Sequence, residues 1–318
     1  MHDNPWLKLP HGQAGNFVAL RASEASPLDV YWARNHEGRY IFLVKMKSAA
    51  VEFERLPRLR GIEIQWISSE KLLQLVLGSA GDWEMFHVLC LDLLESTRSS
   101  QSEEEAVHTV VTRLVRWQRL LSKGGPRVLG EREIRGLIGE LLFLREDLFP
   151  RFGKLAAASW IGPDGHPQDF AIGGVIVEVK THSAGDTPFV MISSPDQLWS
   201  EHVPLYLHVI SLAPDSSGAV CLPELVEELT RRLESDPPLL DQFEGRLEKL
   251  GYINLPEYRE RRFAVTSCSN YFVGSGFPML IPSVIPVGVD DVKYSIRLDA
   301  IERFRAAISW SSHGGNGL

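Results

Sequence analysis

The sequence predicts an α/β protein: an α/β core preceded by a β-rich domain and followed by a mixed α/β region. Three observations predict it. Apolar runs of period two come first along the chain, helical periodicity then alternates with strand-like runs through residues 131–213, and a Gly173-Gly174 pair separates two apolar runs as in a two-residue hairpin. The predicted domains are 1–124, β-rich and ending in helices; 125–240, the core; and 241–318, a mixed region packing on the core.

Strands open the chain. In "DVYWARNHEGRYIFLVKM" two apolar runs flank the polar turn Asn35 to Gly38, and "GIEIQWIS" alternates apolar with polar residues. Two helices follow, "DWEMFHVLCLDLLES" and "EEEAVHTVVTRLVRWQRLLSKG". The second starts with acids and ends with Arg119, Lys123 and Gly124, which suits the helix dipole and a glycine stop. "GGPRVLG" (124–130) reads as a linker. In "EREIRGLIGELLFLREDLFPRFG", residues Ile134, Leu137, Ile138, Leu141, Leu144 and Leu148 recur at helical spacing, and Pro150 ends the run. After "ASWIG" and the hairpin, "SSPDQLW" reads as a helix start, with Ser194 as N-cap, Pro195 first and Gln197 three on. "PLYLHVISL" is a buried strand and "LPELVEELTRRLES" an amphipathic helix. The order for 131–213 is helix, three strands, helix, strand. Beyond it come a helix near 240–250 and the strand-like pieces "FAVTS", "YFV" and "VKYSIRL".

Composition is that of a globular protein, 44% hydrophobic and 23% charged. No apolar run is long enough to span a membrane, and "MHDNPWLKLPHG" lacks the basic and apolar regions of a signal peptide. Cys90, Cys221 and Cys268 are far apart and read as reduced thiols in a cytoplasmic protein. A formal charge of −8 argues against tight nonspecific nucleic-acid binding while leaving room for a local basic groove. Walker, GxGxxG, HExxH and GxSxG motifs are absent.

The hairpin "QDFAIGGVIVEVK" carries unexpected charge. With Gly173-Gly174 as the loop, Ile172 faces Val175, Phe170 faces Val177 and Asp169 faces Glu178. Facing residues share a sheet face with Cβ atoms about 4.5–5.5 Å apart, and alternation adds Lys180 to that face. Phe170, Ile172, Val175, Val177 and Val179 occupy the other. Opposed carboxylates repel unless compensated, by Lys180 or by a divalent cation; Asp and Glu oxygens suit Mg²⁺ or Mn²⁺. The competing reading is a solvated surface cluster on a polar face, whose substitution costs little stability. Upstream, Glu140 lies on a helix beside Gly136 and Gly139, at the border of the buried stripe. By itself it is an amphipathic-helix rim.

The spacing Asp169…Glu178-Val179-Lys180 resembles the PD-(D/E)XK nuclease superfamily, and the element order resembles that superfamily's αβββαβ restriction-endonuclease-like core. Gln168 stands where proline precedes the Asp. The blocks "GLIGELLFL", "DF…VEVKT" and "SSPDQLW" are similar to a bacterial family of unknown function assigned to that superfamily. The resemblance implies an Mg²⁺-dependent (or Mn²⁺-dependent) phosphodiester hydrolase, a DNA endonuclease of restriction or phage-defence type with partners from such a system. The alternative is an inactive nuclease-fold subunit that binds nucleic acid or protein.

By the resemblance, Asp169, Glu178 and the Val179 carbonyl hold the metal and Glu140 supports it. Lys180 orients or deprotonates the attacking water or stabilises phosphate charge. Gln197 matches a polar position near the site, though a capping box explains it too. Arg259, Arg261 and Arg262 in "YRERRF" could contact phosphates or form a solvated turn. His166, near the proposed metal in sequence, reads as a structural or exposed loop side chain, and His182 as an exposed one.

Overall fold

The computed structural model describes residues 4–12, 16–23, 27–47, 56–98, 100–122, 128–184 and 188–311. They form two compact units: one runs to Val128 and takes in Gly251–Pro256, and the other comprises Leu129–Leu250 with Glu257 onward.

In the first unit, strands β1 (Phe17–Ser23), β2 (Asp29–Asn35), β3 (Tyr40–Lys45), β4 (Ile62–Ile67) and β5 (Leu72–Leu77) form an antiparallel sheet ordered β1-β2-β3-β5-β4. The expected strand pair around Asn35–Gly38 is β2 and β3. Its turn closes where Asn35 Oδ1 accepts the Arg39 N–H at 2.8 Å. β1 and β5 went unread because "LLQLVL" is a short apolar run with no clear period. Helices α1 (Trp83–Ser96) and α2 (Glu103–Ser122) stand where predicted, and the buried Asp92 of α1 accepts the Trp117 indole N–H of α2 at 2.8 Å. Lys123, Gly124 and most of the expected linker lie outside the described residues.

The second unit begins with α3 (Glu131–Phe143), which buries Ile134, Leu137, Ile138, Leu141 and Leu142. Pro150 does not end this helix. The spiral widens into a π-helical turn at Leu144–Leu148 and passes into α4 (Phe149–Phe152), with Pro150 in the opening turn of α4. The wider π-helical turn lets the spiral continue past a residue that has no N–H to donate. β6 (Phe170–Ile172), β7 (Val175–Ser183), β9 (Leu205–Pro214), β10 (Val220–Cys221) and β11 (Arg262–Val273) form one sheet, ordered β10-β11-β9-β7-β6, in which β7 and β9 run parallel and the other pairs antiparallel. β8 (Phe189–Ile192) pairs instead with β12 (Tyr294–Arg297) in a separate two-stranded sheet.

The expected helix at "SSPDQLW" is a single 3-10 turn, Pro195–Leu198. Ser194 makes no side-chain cap, and Trp199 returns to extended backbone, so the helix never propagates. Helices α5 (Leu222–Leu233) and α6 (Pro237–Lys249) match the predicted ones. A short α7 (Pro256–Glu260) precedes β11, which unites the pieces "FAVTS" and "YFV". α8 (Leu298–Ile301) follows β12.

The sheet is packed on both faces where its parallel pair lies, at β7 and β9. On one face α3 meets β7, where a Cβ on Gly139 would collide with Thr181 Cγ2 and lie 3.6 Å from Val179 Cγ1. On the other, Leu205, Leu207 and Val209 share a core with Val190 and Ile192 of β8 and with Ile296 of β12. The final described residues strap the hairpin, the Ser311 N–H reaching the Gly173 carbonyl at 2.7 Å.

Candidate active site

The hairpin has the expected register, with Phe170 opposite Val177, Ala171 opposite Ile176 and Ile172 opposite Val175. Gly173 (φ 60°) and Gly174 (φ 74°) both take left-handed conformations, and Phe152 and Trp310 crowd the space a Cβ on Gly173 would fill.

The expected rung between Asp169 and Glu178 is not formed. β6 begins only at Phe170, and the Asp169 carbonyl turns away to accept the N–H groups of Ile161 (2.8 Å) and Gly162 (3.1 Å). The Asp169 carboxylate replaces the missing rung, Oδ2 accepting the Val179 N–H at 2.8 Å.

Beyond Val177 that edge of β7 has no strand partner among the described residues. The Ile176 N–H goes to Pro204 and the Ala184 N–H to Leu212 on the β9 side. Main-chain groups alternate along a strand, so those of Val179, Thr181 and Ser183 point the other way, to the open edge. A cleft of ≈ 440 Å³ lies there, with this edge as floor, Arg132, Arg135, Gly136 and Glu140 of α3 as one wall, and Phe189, Met191 and Ser193 as the other.

Glu178 and Lys180 do share a face, but it is not a solvated one. The core shared with β8 and β12 covers it, and Glu178 is 0% exposed. Lys180 Nζ lies 2.6 Å from Glu178 Oε1, while neither Glu178 oxygen has a hydrogen-bond partner of regular geometry among the described residues. Lys180 also donates to Gln197 Oε1 at 3.2 Å, and that oxygen accepts the Ser193 N–H at 2.7 Å. Gln197 thus closes the 3-10 turn and holds the amine at once.

Glu140 reaches the same cleft from α3, and its Oε2 accepts the indole N–H of the buried Trp160 at 2.7 Å. Gly136 leaves the helix surface beside it open, since a Cβ there would meet nothing within 4 Å.

Burial dominates the electrostatics. It raises Glu140 to about 8, with the Asp169 charge adding to the effect and Trp160 and Lys180 opposing it. Burial raises Asp169 to about 6 against the pull of Lys180 and the Val179 N–H. Glu178 is also raised, by burial and then by Asp169. Lys180 moves up from its ordinary value because the attraction of Glu178, Asp169 and Glu140 outweighs its own desolvation. Among the described residues, no three His, Cys, Asp or Glu side chains form a group able to hold a metal ion by themselves.

The arginine run lies elsewhere and is engaged. Arg259 pairs with Glu227, and Arg262 makes two bonds to Glu224 at 2.8 and 2.9 Å, both partners on α5. These pairs fasten β11 and α7 to α5 and leave those two guanidinium groups neutralised. Arg261 is half-buried, and none of the three lines the cleft. His166 is exposed; His182 is half-buried and lines the cleft.

Sequence reasoning missed Trp160, Arg132, Arg135 and Phe189, and gave Gln168 no role. Gln168 is buried and its amide donates to the carbonyls of Asp196 (2.6 Å) and Trp199 (3.1 Å), pinning the turn that carries Gln197. Arg132 and Arg135 could have been found from their spacing: with Gly136 and Glu140 they share one helix face.

Fold and site together define a mixed α/β protein consistent with the PD-(D/E)XK kind, its acidic residues gathered where the central sheet opens to a cleft. Residues 2–299 match the family described as "Putative PD-(D/E)XK family member, (DUF4420)", and the chain belongs to that family. No curated protein and no solved structure matches it. No helix among the described residues is long and apolar enough to cross a membrane.

Proposed function

We propose that this protein is a metal-dependent phosphodiester hydrolase, a DNA endonuclease serving a restriction or phage-defence system. The observation that carries the reading is the convergence of Asp169, Lys180 and Glu140 at one cleft of a PD-(D/E)XK family member, with Glu178 buried behind Lys180 and within reach of the same charges. Three carboxylates and one ammonium sum to −2 when ionised (−3 + 1), and a divalent cation balances that charge.

The donor set fits Mg²⁺ or Mn²⁺. Glu178 is a buried carboxylate without a regular hydrogen bond, Asp169 is anchored beside it, and the Val179 carbonyl shares the open edge with the Val179 N–H that Asp169 holds. Mg²⁺ is ordinarily held by one or two carboxylates with waters and substrate phosphate, so no third side chain is needed. When bound, the ion supplies a Lewis acid for the phosphoryl group and a more acidic water. Asp169 and Glu178 orient what lies between them. Glu140, steadied by Trp160, closes the outer side. Lys180 acts as a charged donor, holding the nucleophilic water or a phosphate oxygen and offsetting the charge that grows in the transition state. Gln197 positions that amine.

One observation favours a second reading. Lys180 Nζ lies 2.6 Å from Glu178 Oε1 and already offsets that carboxylate's charge without a metal, which supports a nuclease-fold subunit that binds nucleic acid or protein without turnover. Incubation with linear, supercoiled and single-stranded DNA, and with RNA, in Mg²⁺ and Mn²⁺ separates the two. The enzyme reading expects cleavage by the wild type that is lost in Lys180→Ala and Asp169→Ala, with calorimetric metal binding lost in Asp169→Ala alone. Identical trace cleavage by wild type and Lys180→Ala would mark contamination and leave the binding subunit.

A further inference from the structure

We infer that the cleft takes a single nucleic-acid strand, with phosphates held by Arg132 and Arg135 and a base lying against Phe189. The inference rests on the nuclease reading and names the form of its substrate. The two walls differ in chemistry. Arg132 and Arg135 stand on the cleft face of α3, about 12 and 8 Å along the helix from Glu140 at ~1.5 Å per residue. That is the reach of phosphates neighbouring one bound beside Asp169.

Neither arginine is strongly engaged. Arg135 lies 3.6 Å from the exposed Glu131, and among the described residues Arg132 meets only the Met191 thioether at 3.0 Å, a weak acceptor that a phosphate displaces. Gly136 between them and Glu140 carries no side chain to obstruct a backbone passing close to the helix.

The opposite wall is apolar. Strand alternation sends Val190 and Ile192 into the core and leaves Phe189 and Met191 facing the cleft, 40% and 36% exposed. An exposed aromatic opposite arginines is the pairing by which single strands are gripped, bases stacking while phosphates are neutralised. The floor adds the edge of β7 at Thr181, whose main-chain groups face the cleft as hydrogen-bonding partners for bases or sugars. In a chain of net charge −8, this local basic rim is selective for the place it occupies. A cleft of ≈ 440 Å³ is of the size that takes one small ligand, which suits a flipped or unpaired nucleotide.

The test is binding without turnover. Fluorescein-labelled single-stranded DNA, single-stranded RNA and duplex DNA are titrated with the full chain in EDTA, by anisotropy, between ~50 and ~200 mM KCl. We expect single strands to bind about tenfold tighter than duplex. Arg132→Ala and Arg135→Ala should each weaken single-strand binding and flatten the salt slope by about 0.7. Phe189→Ala should weaken it roughly tenfold with the slope unchanged, and Phe189→Trp should restore it. Circular dichroism and thermal melts establish that each variant is folded. Equal affinity for duplex, an unchanged salt slope in both arginine variants, or no binding by the wild type at low salt overturns the inference. Arginine-dependent binding by a protein that cleaves nothing in Mg²⁺ would instead remove the nuclease reading and leave this one standing.

Discussion

Glu140→Gln should change how stability depends on pH in the metal-free protein. Glu140 titrates near 4.5 when the chain is unfolded and about 8 when folded. Its contribution is therefore fully present below pH 4.5 and is lost as the pH rises through 8. Across that window the folded state holds one proton that the unfolded state has released. Stability then falls by about 1.4 kcal/mol per pH unit, or roughly 3 kcal/mol between pH 5 and pH 7. The amide cannot ionise and still accepts the Trp160 N–H, so the variant should lose this slope and keep the fold. Asp169, raised to about 6, imposes a further loss as the pH rises through that value, and it remains in both proteins. Urea denaturation at pH 5, 6, 7 and 8 in EDTA gives the two curves. They should diverge by a few kcal/mol as the pH rises, with the variant the more stable. Parallel curves would refute the placement of Glu140 as a buried, charge-crowded acid.

Three further outcomes follow from the packing. Lys180→Ala leaves Glu178 buried without its counter-charge and should lower stability by about 3–5 kcal/mol at pH 8 and less at pH 5, contrary to the small cost expected of a solvated face; chemical denaturation at both pH values measures this. Gly139→Ala should destabilise by about 1–3 kcal/mol because its methyl meets Thr181 of β7, whereas Gly136→Ala, in open space, should stabilise by about 1 kcal/mol; thermal melts read the opposite signs. Gln168→Ala unties the Asp196 and Trp199 carbonyls and should cost about 1–3 kcal/mol, together with protease sensitivity near Trp199 that the wild type lacks.

What the sequence could reveal followed interaction range. The hairpin register was legible because a glycine pair and period-two alternation act within a dozen residues, and α3 because its apolar stripe repeats along one segment. Asp169 leaving its ladder was not, since its carbonyl is captured by Ile161 and Gly162 across a loop with no periodicity. The burial of Glu178 was hidden for a similar reason: the layer that covers it is made by β8 with β12, a pairing between distant stretches of chain. The 3-10 turn at Pro195 carries the right residues for a helix start. The Gln197 side chain accepts from Lys180 and the Ser193 N–H, the Gln168 amide takes the Asp196 and Trp199 carbonyls, and the next residues are extended.

The partnership of β8 with β12 also has a consequence in time. One wall of the cleft is written near residue 190, but the strand that completes its sheet arrives only with residues 294–297. A chain emerging from the ribosome can close its hairpin and set α3 against β7 long before that, bringing Asp169 and Glu140 to the edge of β7. Phe189 and Met191 gain the strand that completes their sheet only when residues 294–297 have been made. A fragment ending before residue 294 should therefore carry the acidic residues while the β8 wall of the groove rests on the β9 core alone, without its partner strand.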